Sequence, residues 1–132
     1  MPLVRFSLLR GKSADHLRAI GDGIQQALVE QFGVPPDDRF QLVHQHERDE
    51  FLYDPAYLGV ERSDDLVMID ITASNWRSVA QKKALYRAIA DNLARNPGLR
   101  PEDVLIVLSP NERADWSFGR GLASYVPDDA AT

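Results

Sequence analysis

The chain has no cysteine among its 132 residues, which excludes disulfides, thiolate nucleophiles and cysteine-built metal centres. Histidine is scarce too, at three. Two of these, His44 and His46, occupy alternate positions and would share one side of a strand. That spacing can hold a metal, but no third ligand accompanies the pair, so neither a metal site nor a cofactor is expected. Basic residues are outnumbered, 15 against 20 acidic, for a net charge of −5. A phosphate-binding surface needs the opposite balance, so no nucleic-acid partner is expected. No apolar run approaches the about 20 residues that span a bilayer. The start, Met1 to Phe6, lacks the basic and then apolar pattern of a secretion signal. The expected location is the cytoplasm, with no membrane partner. What the chain does have is an ordinary apolar share, 44%, on a length that suits one domain with a buried core.

That domain reads as a repeat. Leu3 to Leu8 is a predicted strand, followed by a helix from about Ser13 to Phe32, the turn Val34 to Arg39, and a strand from Phe40 to Val43. The same order returns with a strand from Leu66 to Ile71, a helix from about Ser78 to Arg95, the turn Leu99 to Asp103, and a strand from Val104 to Leu108. Pro36-Asp37-Asp38 and Pro101-Glu102-Asp103 stand 65 positions apart, and Leu3-Val4 and Leu66-Val67 stand 63 apart. These offsets define two β-α-β units, residues 2–46 and 66–109.

Each helix has its own warrant. Leu17, Ile20, Ile24, Leu28 and Phe32 recur at spacings of three and four, which places them on one face. Ser13 can cap the start and Gly33 can close the end in a left-handed conformation. Ser78 and Gln81 form a capping box before the stripe Leu85, Ile89, Leu93, and Asn96-Pro97-Gly98 stops that helix. Two crossover units give a four-stranded sheet with both helices on one face. The other face then lacks a cover, and a further copy of the chain is the expected one. Residues 47–65 form a long connection of the kind that serves a site or a subunit contact. Asp115 to Gly121 reads as a short strand or hairpin, and Pro127 to Thr132 as a frayed end.

Pro2 is the first candidate for chemistry. Loss of the initiator methionine before a small residue is common, and it would expose a secondary amine. A terminal amine has a pKa near 7.7 to 8.0, which burial or a nearby cation lowers toward that of a good base at neutral pH. Pro2 opens directly into a strand, so the amine would be held rigidly; chance occurrence of Met-Pro is the plain alternative. Arg77 stands just before the Ser78 cap, where a guanidinium can grip a carboxylate through two hydrogen bonds, aided by the helix N-terminus. It would also be the cation beside the amine. Its plain alternative is a solvated surface arginine. Asp38 lies in a helix-to-strand turn, where aspartate serves for local hydrogen bonding alone. Trp116 and Phe118 would by themselves be an aromatic pair of a core or interface.

Pro2 running into a strand, Phe32-Gly33-Val34-Pro35 with Asp38-Arg39-Phe40-Gln41, Arg77-Ser78 with Gln81-Lys82, and Asp115 to Gly121 together resemble the tautomerase superfamily. Within it the sequence is most similar to the malonate semialdehyde decarboxylase branch, over essentially the whole chain. The resemblance implies an α+β fold: a mixed four-stranded sheet with two helices on one face, a short C-terminal hairpin, and assembly as a homotrimer. It implies catalysis by Pro2, with Asp38 holding a water or polarising a carbonyl and Arg77 binding the carboxylate of a small acid. Trp116 and Phe118 would form the pocket wall. The decarboxylase pattern carries two arginines separated by one residue at this turn. Here Asn75 stands in place of the first, which weakens the case for decarboxylation more than that for proton transfer. The expected activity is keto-enol isomerisation of small 2-oxo acids. Decarboxylation of a 3-oxo acid or hydration of an unsaturated one is the alternative, and a non-catalytic trimer binding a small anion or a protein is the rival from another class.

Overall fold

A computed structural model describes residues 1–126. The element order is β1 (Leu3–Leu9), α1 (Ala14–Phe32), β2 (Gln41–His46), β3 (Val67–Ser74), α2 (Val79–Arg95) and β4 (Val104–Asn111). The strands form one mixed sheet in the order β2-β1-β3-β4. Within each half the strands are parallel, and β1 and β3 join the halves antiparallel. The expected α+β architecture is thus the observed one. The strand ends differ: β2 starts one residue later and runs on to His46, and β3 and β4 each extend three residues further, to Ser74 and Asn111.

Alternation decides the layers. Val4, Phe6 and Leu8 of β1 and Val67, Ile69 and Ile71 of β3 are buried against Ile20, Ile24 and Leu28 of α1 and Leu85, Ile89 and Leu93 of α2. Each such aliphatic or aromatic side chain contributes about 1.5–3 kcal/mol when fully buried. The opposite face leaves Leu42, Leu105 and Val107 exposed.

The repeat is exact in its turns. Ser13 accepts from the His16 amide, and Ser78 from the Gln81 amide, both at 3.1 Å. Gly33 and Gly98 both hold positive φ, 68° and 102°. The amides of Val34 and Leu99 close back on the carbonyls of Leu28 and Leu93. Asp38 and Asp103 donate their amides to Pro35 and Arg100, each at 2.9 Å. The carboxylates of these two aspartates then part ways. Asp103 is fully buried and accepts from the Ser63 amide and hydroxyl, each at 2.7 Å. Asp103→Ala leaves those part-buried donors unmet, so we expect a loss of about 1–2 kcal/mol in denaturant unfolding. Activity per folded molecule should not change.

Residues 47–65 fold into two short 3-10 turns, tied by Arg48 and the Tyr53 hydroxyl to Asp64, each at 2.8 Å. The C-terminal segment departs from expectation. Asp115 to Gly121 forms no strand; a 3-10 turn at Arg113–Asp115 leads into a hooked loop. Glycines at 119 and 121 and Arg120, all at positive φ, bend the backbone too sharply for a ladder. The Ser124 amide closes the hook on the Trp116 carbonyl. The frayed end expected at residues 127–132 lies outside the described residues. Among the described residues no helix is long and apolar enough to cross a membrane, and no group of three or more potential metal ligands occurs.

Candidate active site

Strand register builds the site around the first residue. In the parallel pair Val4 opposes Gln41, so Asp38 comes alongside position 1. In the antiparallel pair Leu3 opposes Thr72, so Ser74 comes alongside it from the other strand. The Val4 amide donates to the Phe40 carbonyl at 3.0 Å and pins the start of β1. Pro2 is buried there. The Met1 amino group touches the Asp38 carboxylate, and the Ser74 hydroxyl donates to Met1 Sδ at 2.8 Å. Gln25, itself buried, holds the Asp38 carbonyl at 3.1 Å.

Arg77 is 8% exposed. Its guanidinium lies between two rings, 3.8 Å from the Trp76 centroid and 4.6 Å from that of Phe32. It donates to the Phe32 carbonyl at 2.9 Å and the Ser74 carbonyl at 3.2 Å, bridging the end of α1 to the end of β3. Its Nε is buried without a partner. The plain alternative of a solvated surface arginine is not what the structure shows. Burial lowers its pKa. The amine at position 1 is also depressed, to about 6, first by burial and then by the Arg77 charge. Contact with the Asp38 carboxylate acts the other way and favours the charged amine.

The structure therefore brings the amino terminus, one residue before Pro2, against Asp38 and under the influence of Arg77. Trp116 and Phe118 stack at 5.2 Å, nearly parallel, and Phe118 packs on Phe40 at 5.7 Å, two residues beyond Asp38. Tyr125 meets Phe118 edge-on. The aromatics thus form one cluster with Phe40. Asn75 is exposed; its amide donates to the Asn111 carbonyl at 2.7 Å, and Trp116 Nε1 donates to Asn111 Oδ1 at 2.9 Å. Several contributors escaped the sequence: Ser74, Phe32 and Gln25. Register signals the first, but only once β1 and β3 are known to pair antiparallel. A half-buried amine thus lies next to a carboxylate and near a desolvated guanidinium.

Two tautomerase family models match the chain, over residues 38–119 and 2–61, the former more than half its length. The probable tautomerase YusQ of Bacillus subtilis is 45% identical, covering 96% of this chain and 99% of its own length. Malonate semialdehyde decarboxylase, whose structure was used to account for decarboxylase and hydratase activities, is 37% identical with a TM-score of 0.88, covering 93% of this chain and 95% of that one. FG41 malonate semialdehyde decarboxylase, inhibited by 3-bromopropiolate, is 35% identical with a TM-score of 0.89 and 98% coverage of both. The chain belongs to the tautomerase family.

Proposed function

We propose that the chain, once Met1 is removed, is an isomerase that uses the Pro2 amine to move a proton between carbon and its acceptor in small 2-oxo acids. The observation that carries this reading is the amine at position 1, desolvated and facing Arg77 and Asp38. While Met1 is present, the Pro2 nitrogen is an amide without basicity. Its removal makes that nitrogen the terminal amine, one residue deeper, and frees the space beside Ser74 that the Met1 side chain fills. The neutral amine takes the proton next to the carbonyl. Arg77, with donors beyond those given to Phe32 and Ser74, holds the carboxylate. Asp38 orients the enol hydroxyl or a water. Trp116 and Phe118 shield the amine from solvent, and the proton returns at the other end of the enol.

The 37% and 35% identity to two malonate semialdehyde decarboxylases favours a second reading on the same residues. There a cationic Pro2 would polarise a 3-oxo acid as it loses carbon dioxide. Asn75, which cannot neutralise the charge that develops, ranks that reading second. Assembly as a homotrimer follows from the exposed Leu42, Leu105 and Val107 on the helix-free face and from the resemblance stated above.

The test is to follow phenylpyruvate tautomerisation and 3-oxopropanoate consumption in parallel on protein whose mass shows Met1 absent. Turnover of the first supports the isomerase and of the second the lyase; turnover of neither refutes both. We further expect kcat/KM to rise with pH as the amine loses its proton. Because the surroundings depress that pKa, the rise should be complete before the range of a free terminal amine, near 8, is reached. A half-maximum at or above 8 would contradict an amine held in this environment.

A further inference from the structure

Arg77 also forms one end of a cavity of about 350 Å³ between α2 and the outer strand β4. Lys82, Tyr86 and Asn75 line it, together with apolar Ile71, Ile106 and Leu108. Two cations face this space and no carboxylate does. Ser74 joins it to the first residue: its hydroxyl meets Met1 Sδ, and the same residue lines the cavity. Lys82 sits one turn into α2, with its amide bonded to the Ser78 carbonyl. Helical side chains lean toward the N-terminus, which carries the Lys82 ammonium back over the turn that holds Arg77. Tyr86, four residues on, shares that helix face. Lys82 is half-buried and makes no ion pair among the described residues. A buried guanidinium with an unpartnered Nε and a lysine without an acid leave two positive charges on one small space. Charges taken out of water call for compensation, here by a ligand.

We propose that Lys82 is a specificity-determining residue that selects small oxo acids bearing a second anionic group. The carboxylate next to the reacting carbonyl goes to Arg77. The distant anion crosses the apolar part of the cavity to Lys82, with the Tyr86 hydroxyl beside it. The charge that Asn75 does not supply is thereby supplied from α2. This inference rests on the preceding reading for the place of the reacting carbon, but its test does not need turnover.

Glutarate and its monoamide, equal in shape and different in one charge, are titrated calorimetrically into the Met1-free protein, Lys82→Gln and Lys82→Arg. The unmodified protein should bind glutarate about 10-fold or more tightly than the monoamide, as a charge-assisted contact implies. Lys82→Gln should erase that preference with circular dichroism unchanged, and Lys82→Arg should keep it. Equal affinities, no measurable binding of glutarate, or a preference that survives Lys82→Gln would overturn the proposal. Deuterium exchange into a 2-oxo diacid and its monoacid analogue separates the two readings. Exchange that depends on Pro2 with no role for Lys82 sinks this inference alone. Lys82-dependent glutarate binding without exchange sinks the isomerase reading alone.

Discussion

Pro2→Ala is expected to lower kcat/KM for phenylpyruvate tautomerisation by about 10²-fold, and blocking the Pro2 amine of the Met1-free chain by acetylation by up to about 10⁴-fold, the span that general-base catalysis covers. The two should differ because alanine still leaves a primary amine once Met1 is gone. It lacks the ring that fixes the nitrogen against β1, and its ammonium is the better hydrated form. A blocked terminus leaves no base at all. Pro2 is buried and precedes the first strand pair, so circular dichroism should accompany both assays to exclude a folding defect. Losses below tenfold in both forms would show that the amine does not take the proton, whatever its surroundings.

Arg77→Ala should have the second large effect, in two separable parts. The side chain ties the last carbonyl of α1 to the end of β3, and its removal leaves the Phe32 and Ser74 carbonyls without that donor. A stability loss of about 2–3 kcal/mol is expected in denaturant unfolding, in keeping with hydrogen bonds to a charged group. For turnover, loss of a carboxylate clamp should raise KM, with kcat/KM down about 10²-fold. The pH profile supplies a readout that misfolding would not produce. Arg77 helps to keep the amine at position 1 depressed, so without it the amine holds its proton to higher pH. The acid limb should therefore move up. Arg77→Lys, which restores charge but not the fork between Trp76 and Phe32, should bring the limb back while leaving KM high. An unmoved limb in Arg77→Ala would mean that the guanidinium does not act on the amine.

Much of the fold was legible because the sequence states it twice. Ser13 and Ser78 cap as their types require, and Gly33 ends α1 in the left-handed region. The hydrophobic spacing of both helices matches the buried faces. What failed is equally physical. Residues 115–121 have strand-forming aromatics, but backbone at positive φ from 119 to 121 overrides them. Pro110 within β4 hid the end of that strand, as proline is a poor strand signal; at the sheet's edge it is tolerated. For the site, Pro2, Asp38 and Arg77 were readable as residue types at suggestive places. Arg77's burial was not, since an arginine flanked by Trp76 and Ser78 looks solvated until the Phe32 ring closes over it. Ser74 and Lys82 depend on register and on helix facing, which local pattern leaves open.

The contrast between Asp38 and Asp103 reaches beyond stability. A polypeptide has one amino terminus, so joining two equivalent units end to end leaves one of them with an ordinary peptide bond where the other offers a base. In the second unit the aspartate has nothing to activate, and it serves instead as a rivet for the Ser63 turn. The doubled architecture is thus symmetric in backbone and asymmetric in the vocation of its turns: the second turn is answerable only to the shape of the whole, and the second half reaches the site through Ser74 and Arg77 instead. Substitutions that retune the chemistry should gather around the first turn, while the second drifts under no constraint but its own integrity.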